Sequence, residues 1–297
     1  MKMTKSQDYM KEKAVFPLLV SMAVPMMLSM LIQSLYNIVD SIFVARLGTD
    51  ALTAVSLVYP LQNILLAVSL GTGIGISSLV AVNMGAGNKE KADQAATTGI
   101  FLTMLHAVFF IAFGLLATKP FLRLFTDNES VLSQAETYSY LVLCLSFGNL
   151  LQITMEKIFQ AMGEMVATML LLASGCIINI ILDPILIFGL LGFPAMGVAG
   201  AAIATVIGQV AAFLLYLVVY NRRHIGVTIH WRALRPDPDA VKKIYAVGIP
   251  SGIMVALPSV LVSVLNGMLM RFSEVYVAVL GIYFKLQTFI YMPANGI

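Results

Sequence analysis

Apolar residues run along this chain in long blocks, separated by short polar breaks. The blocks fall at residues 15–44, 52–83, 95–118, 133–158, 165–191, 197–220, 241–270 and 276–297. Each exceeds the roughly 20 apolar residues an α-helix needs to cross a bilayer core, so eight spans are expected. Most breaks carry turn chemistry: Arg46-Leu47-Gly48-Thr49-Asp50, Gly85-Ala86-Gly87-Asn88-Lys89, Thr126-Asp127-Asn128-Glu129, Met162-Gly163-Glu164 and Gly192-Phe193-Pro194. The longest, Asn221 to Asp239, is polar, holds Pro236 and Pro238, and reads as a linker.

Composition settles the class. Hydrophobic residues make up 59% of the chain and charged residues 11%, against about 25% charged in a soluble domain. The expectation is an all-α membrane protein whose main partner is the lipid bilayer. A net charge of +3 is no nucleic-acid footprint, and no nucleic-acid partner is expected. Cys144 and Cys176 lie inside apolar runs and read as small core residues. Lys2, Lys5, Lys11 and Lys13 precede an apolar run far longer than the ~7–15 residues of a signal peptide's core. The first helix is therefore expected to remain in the protein.

The positions of the cations imply an orientation. With the N-terminus in the cytoplasm, the inner segments hold Lys2, Lys5, Lys11, Lys13, Lys89, Lys91, Lys157, Arg222, Arg223, Arg232, Arg235, Lys242 and Lys243. The outer segments hold Arg46, Lys119, Arg123 and Arg271. That bias of thirteen to four follows the positive-inside rule. Lys285 lies within the last apolar run, where it either snorkels or faces a cavity, and Trp231 sits in the basic linker.

The start of the seventh span resembles the start of the first. Pro25 and Pro250 are 225 residues apart, as are Arg46 and Arg271. One residue out of register, Ala54-Val55 matches Ala278-Val279 and Tyr59 matches Tyr283. Six helices between equivalent points describe a parallel repeat about an axis along the membrane normal. The domains expected are a six-helix bundle over 1–220, a cytoplasmic linker over 221–239, and the first two helices of a second, pseudo-symmetric six-helix bundle over 240–297. The chain ends at Pro293-Ala294-Asn295-Gly296-Ile297 inside a span, so it is expected to be C-terminally incomplete.

Ionisable groups inside the hydrocarbon are costly and mark candidate functional positions. Gln33, Tyr36, Asn37 and Asp40 recur at three- and four-residue steps, forming one polar stripe near the outer end of the first span. Asn179 and Asp183 are one turn apart in the outer half of the fifth, and Pro184 frees a backbone carbonyl nearby. Both spans run outward, so the two acids reach similar depth. The blander reading is an interfacial acid at Asp40 and a structural hydrogen bond at Asp183. The functional reading is that the pair binds a cation. Two nearby carboxylates in a low dielectric repel one another and favour uptake of a proton. Alternatively their oxygens, with Asn179 and freed carbonyls, ligate Na+. Glu156 lies near the inner end of the fourth span beside Lys157, as either a solvated interfacial pair or an acid facing a cavity. His106 is expected to be a hydrogen-bonded packing residue. A Met-lined adaptable cavity is conceivable from the 18 methionines, with no single Met assignable.

Gly71-Thr72-Gly73-Ile74-Gly75 is no nucleotide loop. It lies in a helix-length apolar run and lacks the Lys-Ser/Thr ending of a phosphate loop. These small residues, and those of Gly197-Val198-Ala199-Gly200-Ala201-Ala202, suit close helix packing instead. Without an ATP site, coupling to an ion gradient is the economical reading, and no cofactor is expected beyond a coupling H+ or Na+.

Several of these segments also resemble the multidrug and toxic compound extrusion (MATE) family. The resemblance lies in Tyr36-Asn37-Ile38-Val39-Asp40-Ser41-Ile42-Phe43-Val44-Ala45-Arg46-Leu47-Gly48, Ala54-Val55-Ser56 with Tyr59-Pro60, and Gly85-Ala86-Gly87. It continues through Asn179-Ile180-Ile181-Leu182-Asp183-Pro184 and Gly197-Val198-Ala199-Gly200-Ala201-Ala202-Ile203-Ala204-Thr205. It implies two six-helix bundles around a cavity that opens alternately to each side of the cell inner membrane. It also implies export of cationic amphipathic drugs in exchange for H+ or Na+, by a monomer that is not an enzyme. The family's cation site uses acids matching Asp40 and Asp183, with Gln33, Tyr36, Asn179 and Thr205 at matching neighbouring positions. Gln160 departs from the pattern, standing where many members have Arg. Rival readings are a lipid-linked precursor flippase of the same superfamily, which would need cavity cations for pyrophosphate, and a cation channel lined by the paired acids.

Overall fold

The structure, a computed structural model, describes residues 14–270 apart from 127, 224 and 232–234, together with positions 280, 283, 287, 290 and 291. Eight α-helices follow one another over 15–270: α1 (Val15–Ala45), α2 (Thr49–Gly85), α3 (Lys89–Leu122), α4 (Glu129–Cys144), α5 (Phe147–Ala161), α6 (Met165–Phe188), α7 (Val198–Arg222) and α8 (Pro238–Met270). A 3₁₀ turn, Leu190–Gly192, lies between α6 and α7. No strand occurs among the described residues. Lys2, Lys5, Lys11, Lys13, Arg232, Arg271, Lys285, Ala278-Val279 and most of the predicted span 276–297 lie outside them.

Among the described residues six helices are long and apolar enough to cross a bilayer. The predicted fourth span is instead two helices, α4 and α5, bent by 44°. Ser146 and Gly148 flank the bend, and such small-residue pairs are a common site of sharp kinks. A side chain at Gly148 would meet Val210 Cγ2 at 2.7 Å, so the bend lets the start of α5 press against α7.

Local chemistry ends and starts the helices where the polar breaks were read. Gly87 (φ +75°) and Gly163 (φ +78°) take the left-handed conformation that a side chain disfavours. Asn88 Oδ1 accepts from the Lys91 amide at 3.4 Å, and Asn128 Oδ1 from the Ser130 amide at 3.0 Å, capping α3 and α4.

Two apolar cores occupy the two ends of the bundle. One joins Val44, Val58, Phe110, Leu143 and Ile187, and the other joins Ile76, Ile100, Phe159, Tyr216 and Ile244. The outside is apolar too: Leu105, Val108, Leu116, Leu170 and Leu214 are all exposed. Such a surface suits lipid, because helices satisfy their own backbone groups.

The segment after α7 is not a loose polar tether. Ile225, Val227 and Ile229 are buried. The Thr228 amide donates to Asp93 Oδ1 at 2.7 Å, the His230 amide to Thr97 Oγ1 at 3.1 Å, and the Asp237 amide to Thr98 Oγ1 at 3.2 Å. Backbone donors that would otherwise need water are thus satisfied by side chains of α3, strapping this segment to that helix. Beyond it, α8 packs along α2 and more briefly along α3.

Candidate cation-binding site

The site is built where α6 and α7 cross. Glycine lets them approach: a side chain at Gly208 would lie 2.8 Å from the Gly175 carbonyl oxygen and 3.1 Å from Asn179 Cβ. Further along, a side chain at Gly200 would lie 2.5 Å from the Leu186 carbonyl oxygen. The packing role read for the Gly197–Ala202 run therefore holds at Gly200. One helical turn before Gly208, Thr205 comes to face Asn179. With its amide turned to suit both neighbours, Asn179 donates to Asp183 Oδ2 at 3.0 Å and its oxygen accepts from the Thr205 amide at 3.0 Å. Asn179, Asp183 and Thr205 are all buried, and Asp183 is wholly inaccessible.

Helix α1 supplies the second acid. It packs against α6, and Asp40 lies within electrostatic reach of Asp183. One Asp40 carboxylate oxygen is buried. Tyr36, one turn earlier, lies within interaction reach of the Thr205 hydroxyl and of Asp40. Two spans far apart in sequence thus bring two carboxylates, an amide and two hydroxyls together.

The other expected neighbours divide. Gln33 is half-buried on α1, whereas Asn37 is exposed. The polar stripe is therefore split, because a face wide enough for all four residues is wider than the contact with α6. Glu156 is not beside the pair: it lies on α5, and the reading of Glu156–Lys157 as a solvated interfacial pair is overturned. Both residues are buried, 3.8 Å apart. Gln160 bridges them, donating to Glu156 Oε1 and accepting from Lys157 Nζ, both at 2.9 Å. A neutral amide does this where an Arg would set a second cation beside Lys157. His106 Nε2 lies 2.8 Å from Tyr245 Oη, as suits a packing residue.

Sequence reasoning missed Tyr138 on α4 and Gln62 on α2. Tyr138 is buried, within electrostatic reach of both Asp40 and Asp183, and accepts a hydrogen bond from Gln62 Nε2 at 3.3 Å. The available signal was an uncharged polar residue within each apolar run. Among the described residues no cluster of three or more His, Cys, Asp or Glu could hold a metal.

Chemically, the arrangement offers a charge-dense pocket of oxygens with hydroxyl and amide partners on one side. It suits a proton shared by the acids or a hard monovalent cation. The family model MatE matches residues 25–185, more than half of the chain, and spans Asp40, Asn179 and Asp183. The chain belongs to the MATE family. This MATE chain is 29% identical over 276 residues to the probable multidrug resistance protein YoeA of Bacillus subtilis, covering 91% of the chain and 59% of YoeA. It is 26% identical over 282 residues to the multidrug export protein MepA of Staphylococcus haemolyticus, covering 95% of the chain and 62% of MepA. It thus spans about three fifths of the length of these curated relatives. Among solved structures it resembles a MOP superfamily transporter from Pyrococcus furiosus, for which reverse polarity of the binding pocket suggests a different function. The TM-score is 0.92 at 29% identity, covering 100% of this chain and 65% of that one. An outward-facing multidrug resistance MATE transporter of the MOP superfamily matches with the same TM-score, 0.92, identity and coverage.

Proposed function

We propose that the chain is part of a secondary active multidrug exporter, exchanging H+ or Na+ for cationic amphipathic drugs by alternating access. The observation that carries this reading is the meeting of Asp40 and Asp183 beside Asn179, Thr205 and Tyr36 inside a bundle of bilayer-crossing helices. A buried carboxylate costs several kcal/mol unless paired, so two together favour a bound proton or Na+. A cation and a drug that prefer opposite states of the bundle are exchanged, because each shifts the equilibrium by its differential affinity. The names of YoeA and MepA support the substrate class. Pro25 in α1 and Pro184 in α6 each remove a ladder hydrogen bond, so both site helices can bend.

In this reading 1–220 is one bundle, 221–239 a cytoplasmic linker, and α8 opens a second bundle. The protein works as a monomer in the cell inner membrane, with its N-terminus in the cytoplasm. It is a transporter rather than an enzyme and needs no cofactor besides the coupling ion.

The test uses full-length protein in proteoliposomes, with a proton or Na+ gradient driving ethidium. Asp40→Asn or Asp183→Asn is expected to abolish gradient-driven export while some ethidium binding survives. Export at the normal rate by Asp183→Asn would remove the pair as coupling site. Ion current without stoichiometric drug exchange would point to a channel.

A further inference from the structure

Where the segment after α7 crosses the start of α3, a polar cavity of about 490 Å³ opens. Lys89, Asp93 and Thr97 line it at four-residue steps, with Glu90 and Gln94 on the adjoining row of the same helix. His230 and Arg235 line it from the segment after α7. Hydrogen bonds fix the two walls against each other. Thr97 is buried and its Oγ1 accepts from the His230 amide at 3.1 Å. Asp93 uses Oδ1 to accept from the Thr228 amide at 2.7 Å, which leaves Oδ2 to a ligand.

Charge inside the cavity is balanced. Lys89 and Arg235 stand against Glu90 and Asp93, and among the described residues none of the four is joined in an ion pair. Opposite charges that line one cavity without pairing to each other suit a ligand that carries both signs. A wholly basic pocket would instead select an anionic headgroup. Depth narrows the ligand further. Lys89 to Thr97 is about 12 Å of helix, and the apolar run of α3 begins at residue 95, so Lys89 lies about 9 Å beyond the hydrocarbon edge. Lipid headgroups occupy that layer, about 5–8 Å thick on each side of a bilayer. Trp231, exposed beside His230, is of the residue type that settles there.

We propose that this cavity binds the headgroup of phosphatidylethanolamine. Lys89 and Arg235 hold the phosphodiester, and the primary ammonium donates to Glu90 and to Asp93 Oδ2. Phosphatidylcholine carries the same two charges but has no N–H to donate, and phosphatidylglycerol has no ammonium. A bound lipid thereby ties the segment after α7 to the bilayer as well as to α3. The site stands apart from the exchange reading; only its leaflet, the cytoplasmic one, follows from an N-terminus inside the cell.

The test uses full-length protein in phosphatidylcholine nanodiscs, with native cysteines replaced and a bimane fluorophore on Lys91→Cys, exposed on the same stretch of α3. Quenching is read as a lipid with a nitroxide high on its acyl chain is added, its headgroup being ethanolamine, glycerol or choline. The ethanolamine lipid is expected to quench at about three- to fivefold lower mole fraction than either of the others, the range of an exposed charge pair. Glu90→Gln is expected to abolish its advantage over the glycerol lipid, and Lys89→Gln with Arg235→Gln to raise the mole fraction needed for both. Bimane on Leu116→Cys, exposed toward the other end of α3, is expected to show no headgroup preference. Equal quenching by the three lipids at Lys91→Cys overturns the proposal. Stronger quenching by phosphatidylglycerol, the mark of a plain basic surface, overturns it too, as does an undiminished ethanolamine preference in Glu90→Gln. Glycerophosphoethanolamine, the same headgroup without acyl chains, is expected to leave the quenching intact; full recovery of fluorescence would assign the cavity to a soluble ligand and overturn the lipid. Drug export plays no part in the readout, so each of these outcomes leaves the exchange reading where it stood.

Discussion

Replacing Gly208 by alanine puts a methyl 2.8 Å from the Gly175 oxygen, where ordinary contact begins at 3.4 Å. Neither the Gly175 carbonyl nor Asn179 Cβ, 3.1 Å away and fixed to its backbone, can swing aside, so α6 and α7 must part by about 0.6 Å or bend. Thr205 is one turn from Gly208, so much of that shift reaches the 3.0 Å contact between its amide and Asn179. At about 3.6 Å that contact is no longer a hydrogen bond. The bond from Asn179 to Asp183 lies within α6 and survives. Overpacking of this kind costs about 1–3 kcal/mol, and the lost partner of a buried amide about 1–3 kcal/mol more. A total of about 2–6 kcal/mol would lower Tm by several degrees. Thermal unfolding of full-length protein in detergent reads the change, and Gly175→Ala, which meets Ala212 Cβ at 2.9 Å, is expected to follow it. Gly85→Ala is the neutral control. A Tm within 1 °C of wild type for both Gly208→Ala and Gly175→Ala, equivalent to about 0.5 kcal/mol or less, would refute the close crossing that builds the site.

Two further outcomes follow from buried charge and from the strap. Lys157→Met strands the Glu156 carboxylate and is expected to cost about 3–5 kcal/mol, seen as a lower Tm; Glu156→Gln combined with Lys157→Met recovers most of it. No recovery would mean that the two charges do not depend on each other. Asp93→Ala removes the acceptor of the Thr228 amide and is expected to speed hydrogen exchange at that amide by about tenfold, with the amides of α7 unchanged. Equal protection in both proteins would show that the linker is held by its buried Ile225, Val227 and Ile229 alone.

The sequence by itself determined the solvent and the secondary structure. A bilayer rewards unbroken apolar runs and punishes free backbone groups, so run length alone located six spanning helices, and a seventh only as the bent pair α4–α5. It also nominated Asp40, Asn179 and Asp183, because a polar group in hydrocarbon stands out against its neighbours and matched depth follows from helical rise. What it left open were properties of pairs of helices. The separation of Tyr36 and Asp40 from Asn37, the enrolment of Tyr138 and Gln62, and the removal of Glu156 to a bridged pair with Lys157 all depend on which helix faces which. Periodicity describes one helix at a time and assigns no partner to its polar face. The bend at Ser146–Gly148 and the strapped linker were hidden for the same reason: each is favoured by contacts with α7 or α3, not by its own residues. Glycines show the division most clearly. Their presence in Gly71–Gly75 and at Gly200 announced close packing, but only the tertiary structure decided that Gly71 and Gly75 meet α8, Gly73 meets Lys157, and Gly200 meets α6.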